Sequence, residues 1–451
     1  MQIYSRKRLA KNLMATLSAG CLAFSLTACG GAPANGTKTP DSGSGQQVDA
    51  QAEAKKIAES PAEVVFLGGG YSEELFNNRF GNQIRKKFPN YKITLLSGNI
   101  ADIVATAPAI DIVISSGTGM STTVLQHGLE SDISDLVAKY KYDLSKIESA
   151  PLDELRKLMN GKLPALPWTV ATQVFYYNKD VFDKFGVPYP KDDLTWDQVY
   201  DMAKTMTRSE GGVQYRGITF GVFNQAIGWN QLGAPFFDTT TFKAKFTDDV
   251  FKRVFQNVTR FLDINGNQPR DGSGKAISAR NVFLNEHSTA MHVDGSGVVT
   301  MLAQTNANWD IARFPDFPGQ AGVGPSVNPD YLFISSKSKS RDAAFQILSY
   351  IASDEYQGWS ASTYGLLPIL TKKDDIMKNF GTNIAGLSGK NVSGMVPKRF
   401  ATMQPFTPFT GIANKEIDKA IQEYMGGKDV NTVLREAAER VDKQVEAQQQ
   451  K

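Results

Sequence analysis

Short apolar runs alternate with helical stripes along most of this chain, and that alternation narrows the folds open to it more than any other feature. Glu63–Leu67 (EVVFL) is an apolar run ending in Gly68-Gly69-Gly70, which predicts a buried strand. From Ser72 the period changes. Phe76, Phe80, Ile84 and Phe88 recur four apart on one helical face, and Glu73 and Glu74 fall in the first turn, where acids suit the helix dipole. Lys92–Leu96 (KITLL) and Ala109–Ser115 (AIDIVIS) predict two more strands, the second followed by Ser116-Gly117-Thr118-Gly119. Strand–helix–strand order with apolar strands implies an α/β fold whose mostly parallel sheet is covered on both faces. Ligands of such sheets sit at the carboxyl ends of the strands. Further helices are predicted over Asp197–Thr207, Val250–Leu262, Arg341–Ser353, Lys415–Met425 and Asn431–Val445, with a strand over Ser288–Val293.

The chain has 451 residues, too many for one ordinary domain and comfortable for two lobes. Residues 1–28 hold Arg6, Lys7, Arg8 and Lys11 and no acid, so without them the formal charge falls from +3 to about −1. A near-neutral body lacks the clustered basic footprint that nucleic acid requires. The basic stretch precedes an apolar run from Leu13 to Leu26, and Leu26-Thr27-Ala28-Cys29 follows. This N-terminus resembles the lipobox of bacterial lipoproteins. The resemblance implies a signal peptide over 1–28, lipid attached to Cys29, and a body held at the outer face of the cell membrane. An ordinary secretory peptide is the alternative reading, and about 14 apolar residues are short for a membrane span. Only Cys21 and Cys29 occur, so disulfides and cysteine chemistry are excluded from the folded body. Residues 30–50 are rich in Gly, Ser, Pro and Thr without apolar periodicity, as a flexible tether would be.

Several segments, in order, resemble the extracellular solute-binding protein family 1, the receptors of carbohydrate and related ABC importers. They begin with Leu163–Asp183 (LPALPWTVATQVFYYNKDVFD), which carries Tyr177-Asn178-Lys179-Asp180, and continue with Phe185-Gly186-Val187-Pro188 through Thr195-Trp196-Asp197. Ala290–Gly295 (AMHVDG), Trp309-Asp310-Ile311 to Phe314-Pro315, Ser338-Lys339-Ser340 with Ala343-Ala344, and Gly365-Leu366-Leu367-Pro368 complete the set. The resemblance implies a two-lobe, periplasmic-binding-protein-like fold of type II, with strands crossing near Pro167–Val170 and returning near Val327–Ile334. The expected division is a tether over 29–62, a first lobe from 63–167 plus 328–353, a second from 168–327 plus 354–446, and a frayed end over 447–451. It further implies capture of a small polar solute, most simply a sugar, by a monomer that docks on permease subunits and needs no cofactor.

Loops after strands should face the cleft, because the sheet does not consume their backbone amides and carbonyls. Gly70 and Tyr71 follow the first strand; Ser115, Ser116 and Gly117 end the third, with Asp111 just before, either binding or capping. Trp168 lies at the expected crossing, Trp229 and Asn230 in a glycine-flanked polar loop, Asp294 and Gly295 at a strand end, and Trp359 before the Gly365–Pro368 motif. Aromatic faces suit sugar C–H surfaces, while Asp, Asn and Ser suit hydroxyls.

An enzyme reading finds little to hold. His287 and His292 are five apart, matching no helical metal pair, and neither a nucleophile elbow nor a phosphate-binding loop occurs. Asp263–Gly274 fails as an EF-hand, with Gln268 where glycine is required and Gly274 where glutamate is required. A non-sugar or peptide binder, a sensory binding protein and a lipid-anchored glycoside hydrolase remain as alternatives.

Overall fold

The computed structural model describes residues 50–450; the signal segment 1–28, Cys29 and the tether up to residue 49 lie outside the described residues. Structure begins before the expected end of the tether at residue 62. Ala50–Glu59 (AQAEAKKIAE) is a helix, as its strong helix formers permit. It is tied down where Tyr91 Oη donates to Ile57 O (3.0 Å) and Asn90 Nδ2 donates to Glu59 O (2.7 Å).

The strands are β1 (Ala62–Leu67), β2 (Tyr91–Leu96), β3 (Ile112–Ser116), β4 (Ala165–Ala171), β5 (Gln173–Asn178), β6 (Arg208–Glu210), β7 (Val213–Phe220), β8 (Thr289–Gly295), β9 (Trp309–Ala312), β10 (Val323–Gly324), β11 (Asn328–Ile334) and β12 (Arg399–Phe400). One sheet runs β2-β1-β3-β11-β4 and another β6-β7-β8-β5-β9, with β10 and β12 paired as a short ribbon. The fold is α/β in two lobes, of the type II binding-protein kind. Both sheets are mixed, and the crossings explain why. β1 runs parallel to β2 and β3, but β11, returning from the other lobe, enters antiparallel to β3 and β4. In the second lobe β7 and β8 are parallel, while β5, arriving from β4, is antiparallel to β8 and β9.

The first helix shows how local geometry follows burial. A spacing of four drifts about 40° per step around an α-helix. Here Asn77–Gly81 is a π turn between helical segments Glu73–Phe76 and Asn82–Lys87. The wider turn absorbs the drift, and Phe76, Phe80, Ile84 and Phe88 are all buried.

Two buried clusters fill the lobes. Phe66, Phe80, Trp168, Tyr331 and Ile347 belong to the first, and Trp196, Phe255, Ile417 and Val441 to the second. β5 is buried on both faces, and its period of two splits it: Val174 and Tyr176 join the first cluster, Phe175 and Tyr177 the second. The first cluster also takes in Tyr356, Leu367, Ile369, Met377 and Met403, from a stretch that the sequence reading allots to the second lobe. The last helix, Val430–Gln449, runs through the expected frayed end. Asp429 caps it by accepting from the N–H groups of Asn431 (3.0 Å) and Thr432 (3.1 Å).

Candidate functional site

The carboxyl ends of β1, β3, β7 and β8 turn toward the seam where the chain changes lobes. That seam is stitched closely. Thr172 lies between β4 and β5; its Oγ1 donates to Ser326 O (3.2 Å) and its N–H to Ser296 Oγ (3.4 Å). Ser326 donates its own N–H to Trp229 O (3.0 Å). A later segment passes here too, where Gln404 Nε2 donates to Gly228 O (2.8 Å) and Ala234 O (2.7 Å).

A cavity of about 170 Å³ opens at the seam. Thr118 lines it from the first lobe, Asn224, Gln225 and Trp229 from the second, Asn328 from the start of β11, and Phe406 from the later segment. The Phe406 ring packs on Tyr331 (centroids 6.1 Å apart) and lies over Gly117, where a Cβ would stand 2.6 Å from the ring. Only glycine admits that approach. Asn224, Gln225, Asn328 and Phe406 are absent from the sequence candidates. Asn224 and Gln225 closely follow β7, so the strand-end rule could have reached them. Phe406 carries no comparable signal.

The structure separates the sequence candidates into those that face open space and those already spent. Trp229 is half-buried and lines the cavity. Gly70 and Tyr71 form the turn after β1, with the Tyr71 N–H donating to Gly68 O (3.0 Å). The half-buried Tyr71 hydroxyl is pushed up to about 12, first by burial and then by the charge of Asp330. Ser116 Oγ accepts from the Gly119 N–H (3.0 Å) and so shapes the turn after β3, while Ser115 Oγ is engaged with Thr123 Oγ1 (2.5 Å).

Of the remaining candidates, Asp111, which takes the capping role of its two readings, Asn230 and Asp294 are spent on the fold, and Trp168 does not present its ring. Asp111 is buried and saturated: Oδ1 accepts from Ser338 Oγ (2.7 Å), Lys339 N (2.9 Å) and Ser340 N (3.0 Å), and Oδ2 from Val65 N (2.9 Å). It joins β1 to the loop before the helix Arg341–Ile351 and has nothing left for a solute. Asn230 is buried and holds its own loop, donating to Ile227 O and Ala234 O and accepting from the N–H groups of Leu232 and Ala234. Asp294 is 1% exposed and takes a two-pronged bond from Arg280, Nε to Oδ2 at 2.7 Å and Nη2 to Oδ1 at 2.8 Å. His292 Nε2 lies 3.2 Å from Oδ2, and the Gly295 N–H donates to Oδ1 (2.7 Å). Burial opposes the charged form of Asp294, but the bonds from His292, Arg280 and Gly295 outweigh it and hold the carboxyl well below the usual range. Trp168 is 1% exposed and edge-on to Phe80 at 4.7 Å, so its ring offers no stacking face.

Two candidates remain. Gly295 spends its carbonyl on Tyr176 Oη (3.1 Å). Trp359 packs between Tyr356 and Tyr364, each 5.3 Å away, on the helix Asp354–Tyr364, and is not among the cavity's walls.

Known proteins share this architecture and sequence pattern. The sn-glycerol-3-phosphate-binding periplasmic protein of Brucella melitensis is 23% identical over 417 residues, covering 83% of this chain and 91% of that one. Its namesake from Rhizobium meliloti is 21% identical over 373 residues, covering 78% and 83%. Among solved structures, a Rhizobium etli sugar transporter in an open conformation superposes with a TM-score of 0.68 at 21% identity, covering 84% of this chain and 98% of its own. A Listeria monocytogenes ABC substrate-binding protein in complex with cycloalternan gives 0.67 at 18%, covering 86% and 99%. The family of bacterial extracellular solute-binding proteins matches residues 69–358, well over half of the chain. With both lobes, their crossing strands and that match in hand, the chain belongs to the bacterial extracellular solute-binding proteins.

Proposed function

We propose that this chain is the lipid-anchored receptor of an ATP-driven importer, capturing a carbohydrate between its lobes outside the cell and delivering it to the permease. The observation that carries the reading is the cavity at the seam, which draws walls from both lobes and is lined by Trp229 together with Asn224, Gln225 and Asn328, the Asn224 Nδ2 donating to Asp418 Oδ2 (2.6 Å). An aromatic face with a few directed amides suits a ring of C–H and O–H groups. Because both lobes contribute, a solute held there favours whichever arrangement brings them together, and lobe closure is a signal a permease can read. The names of similar proteins support a hydroxylated solute: one matched structure holds cycloalternan, another D-mannitol. The sn-glycerol-3-phosphate relatives favour a second reading, a phosphorylated polyol.

The test is a thermal-shift and calorimetry panel on the purified protein, using maltotriose, D-mannitol and sn-glycerol 3-phosphate. A compound bound only by the native state raises the midpoint. Stabilisation by maltotriose or mannitol, with the compound recovered intact after long incubation, is the expected result. Cleaved product would replace the receptor reading with a hydrolase. Trp229→Ala should weaken carbohydrate binding about tenfold or more while the midpoint without ligand moves little. For the anchor, mass spectrometry of the membrane-extracted chain should find diacylglycerol on Cys29, and Cys29→Ala should leave the protein unanchored.

A further inference from the structure

Asp330 is a carboxylate near the seam with no hydrogen bond or ion pair among the described residues. It lies on β11, opposite Ser116 of β3 on one side and Thr169 of β4 on the other. Asn328, two residues earlier on the same face, lines the cavity. The pairing of β11 with β4 slips at this point: Asp330 faces Thr169 but Tyr331 faces Pro167, which makes Trp168 the extra residue of a bulge. Bulges re-aim side chains, and the Trp168 indole packs on Phe80 (4.7 Å), which packs in turn on Tyr71 (5.9 Å).

Three polar groups in this neighbourhood have no hydrogen-bond partner among the described residues. Trp168 Nε1 and Arg79 Nε are buried and reach no acceptor there. The Asp330 side chain has no hydrogen bond or ion pair among the described residues. Buried polar groups are normally answered, so unanswered ones gathered in one place call for a missing partner. Arg79 also sits in the π turn Asn77–Gly81, an irregularity that tends to mark functional sites. The Asp330 carboxyl is pushed up to about 6 because burial strips its hydration, and the charge of Arg79 recovers only part of the loss. Solvent still touches Asp330.

We propose that Asp330 and Arg79, with the Tyr71 hydroxyl, form the first lobe's half of the solute site and select an uncharged, hydroxyl-rich solute over an anionic one. Asp330 accepts from solute hydroxyls, while Arg79 donates to their oxygens. One carboxylate and one guanidinium balance each other, and the amides and rings of the cavity add no charge. With its one guanidinium already offset by Asp330, the site holds no surplus cation to balance the net negative charge of a phosphate ester. This selection rests on the carbohydrate reading above.

The test compares wild type, Asp330→Asn and Arg79→Met by calorimetry at pH 5, 6 and 7, with maltotriose, D-mannitol and sn-glycerol 3-phosphate. Asp330→Asn should weaken the neutral compound that wild type binds by about 10- to 100-fold at pH 7, since a hydrogen bond to a charged group is the stronger kind. Wild-type affinity should fall from pH 7 to pH 5 as the carboxylate takes up its proton, and the variant should show no such fall. Arg79, Tyr71 and Tyr331 are the ionisable groups that face Asp330, and burial pushes both tyrosines up, so neither titrates in that range. A thermal melt of each variant establishes that it is folded, and Asp330→Ser serves if Asp330→Asn is not. Unchanged neutral-ligand affinity in a folded variant overturns the half-site and leaves the receptor reading standing. So does a wild type that binds both a neutral compound and sn-glycerol 3-phosphate, the ester at least as tightly. A wild type that responds to no neutral compound overturns both.

Discussion

Asp294 in the second lobe and Asp330 in the first are both carboxylates on strands near the crossing, and the fold treats them in opposite ways. Asp294 collects two bonds from Arg280, one from Gly295 and a close His292. The backbone crowds it as well: a Cβ on Gly221 would stand 2.0 Å from its carboxylate. Asp330 receives no hydrogen bond among the described residues. A polar group whose bonding capacity is filled by its own chain holds structure together. One left open costs stability and is free for something that arrives later. Both stand in largely apolar strands (TAMHVDG and NPDYLFI), and the count of partners tells them apart.

Removing Asp294 should give the larger effect. Asp294→Ala strips the buried His292 and the Arg280 guanidinium of their shared anion, at a cost of about 3 kcal/mol or more in urea denaturation. Its folded-state proton affinity lies below that of an unfolded carboxylate, so its contribution is complete above about pH 4 and fades only as pH falls further. A variant that melts with wild type would show that the network is ornamental. Asp330 should behave with the opposite sign. Its carboxyl holds a proton up to about pH 6 in the fold but only to about pH 4 when unfolded, so native stability drops as pH rises between those values and then levels off. Asp330→Asn escapes that loss and should be roughly 1–3 kcal/mol more stable than wild type at pH 7, with the advantage shrinking toward pH 4. Gain in stability paired with loss of ligand is the mark of a residue kept for function.

Periodicity carried the elements well. The four-spaced phenylalanines and the EVVFL run are local patterns, and burial acts on them directly. The antiparallel entry of β5 and β11 was not legible, because direction in a sheet depends on where the chain arrives from. Ala50–Glu59 escaped notice since few apolar residues mark it; it is held by contacts from Asn90 and Tyr91. The site was harder still. Trp168 reads as a cleft residue from its place at the crossing, but the bulge turns its ring into the core. Asp294 reads as a ligand, and Asp111 as either ligand or cap, because hydrogen-bond saturation is a property of the folded neighbourhood. Thr118, Asn224, Asn328 and Phe406 meet from four separate stretches of chain, and no spacing rule links them.

The smallest effect isolates the same contrast in neutral groups. Trp196 and Trp168 are both nearly fully buried, one in each cluster. Trp196 opens its helix behind a capping box at Thr195 and donates Nε1–H to Gln231 Oε1 (2.8 Å), whereas the Trp168 N–H has no acceptor. Phenylalanine at either position loses a similar ring volume and leaves a similar void. At position 196 it also abandons a buried acceptor, whose desolvation is then uncompensated; at position 168 it removes a donor that the ligand-free fold never answered. Trp196→Phe should therefore cost about 1–2 kcal/mol more than Trp168→Phe in matched chemical denaturation. Equal losses would mean that the Trp168 N–H is answered after all, and the distinction between filled and open groups would lose its clearest neutral case.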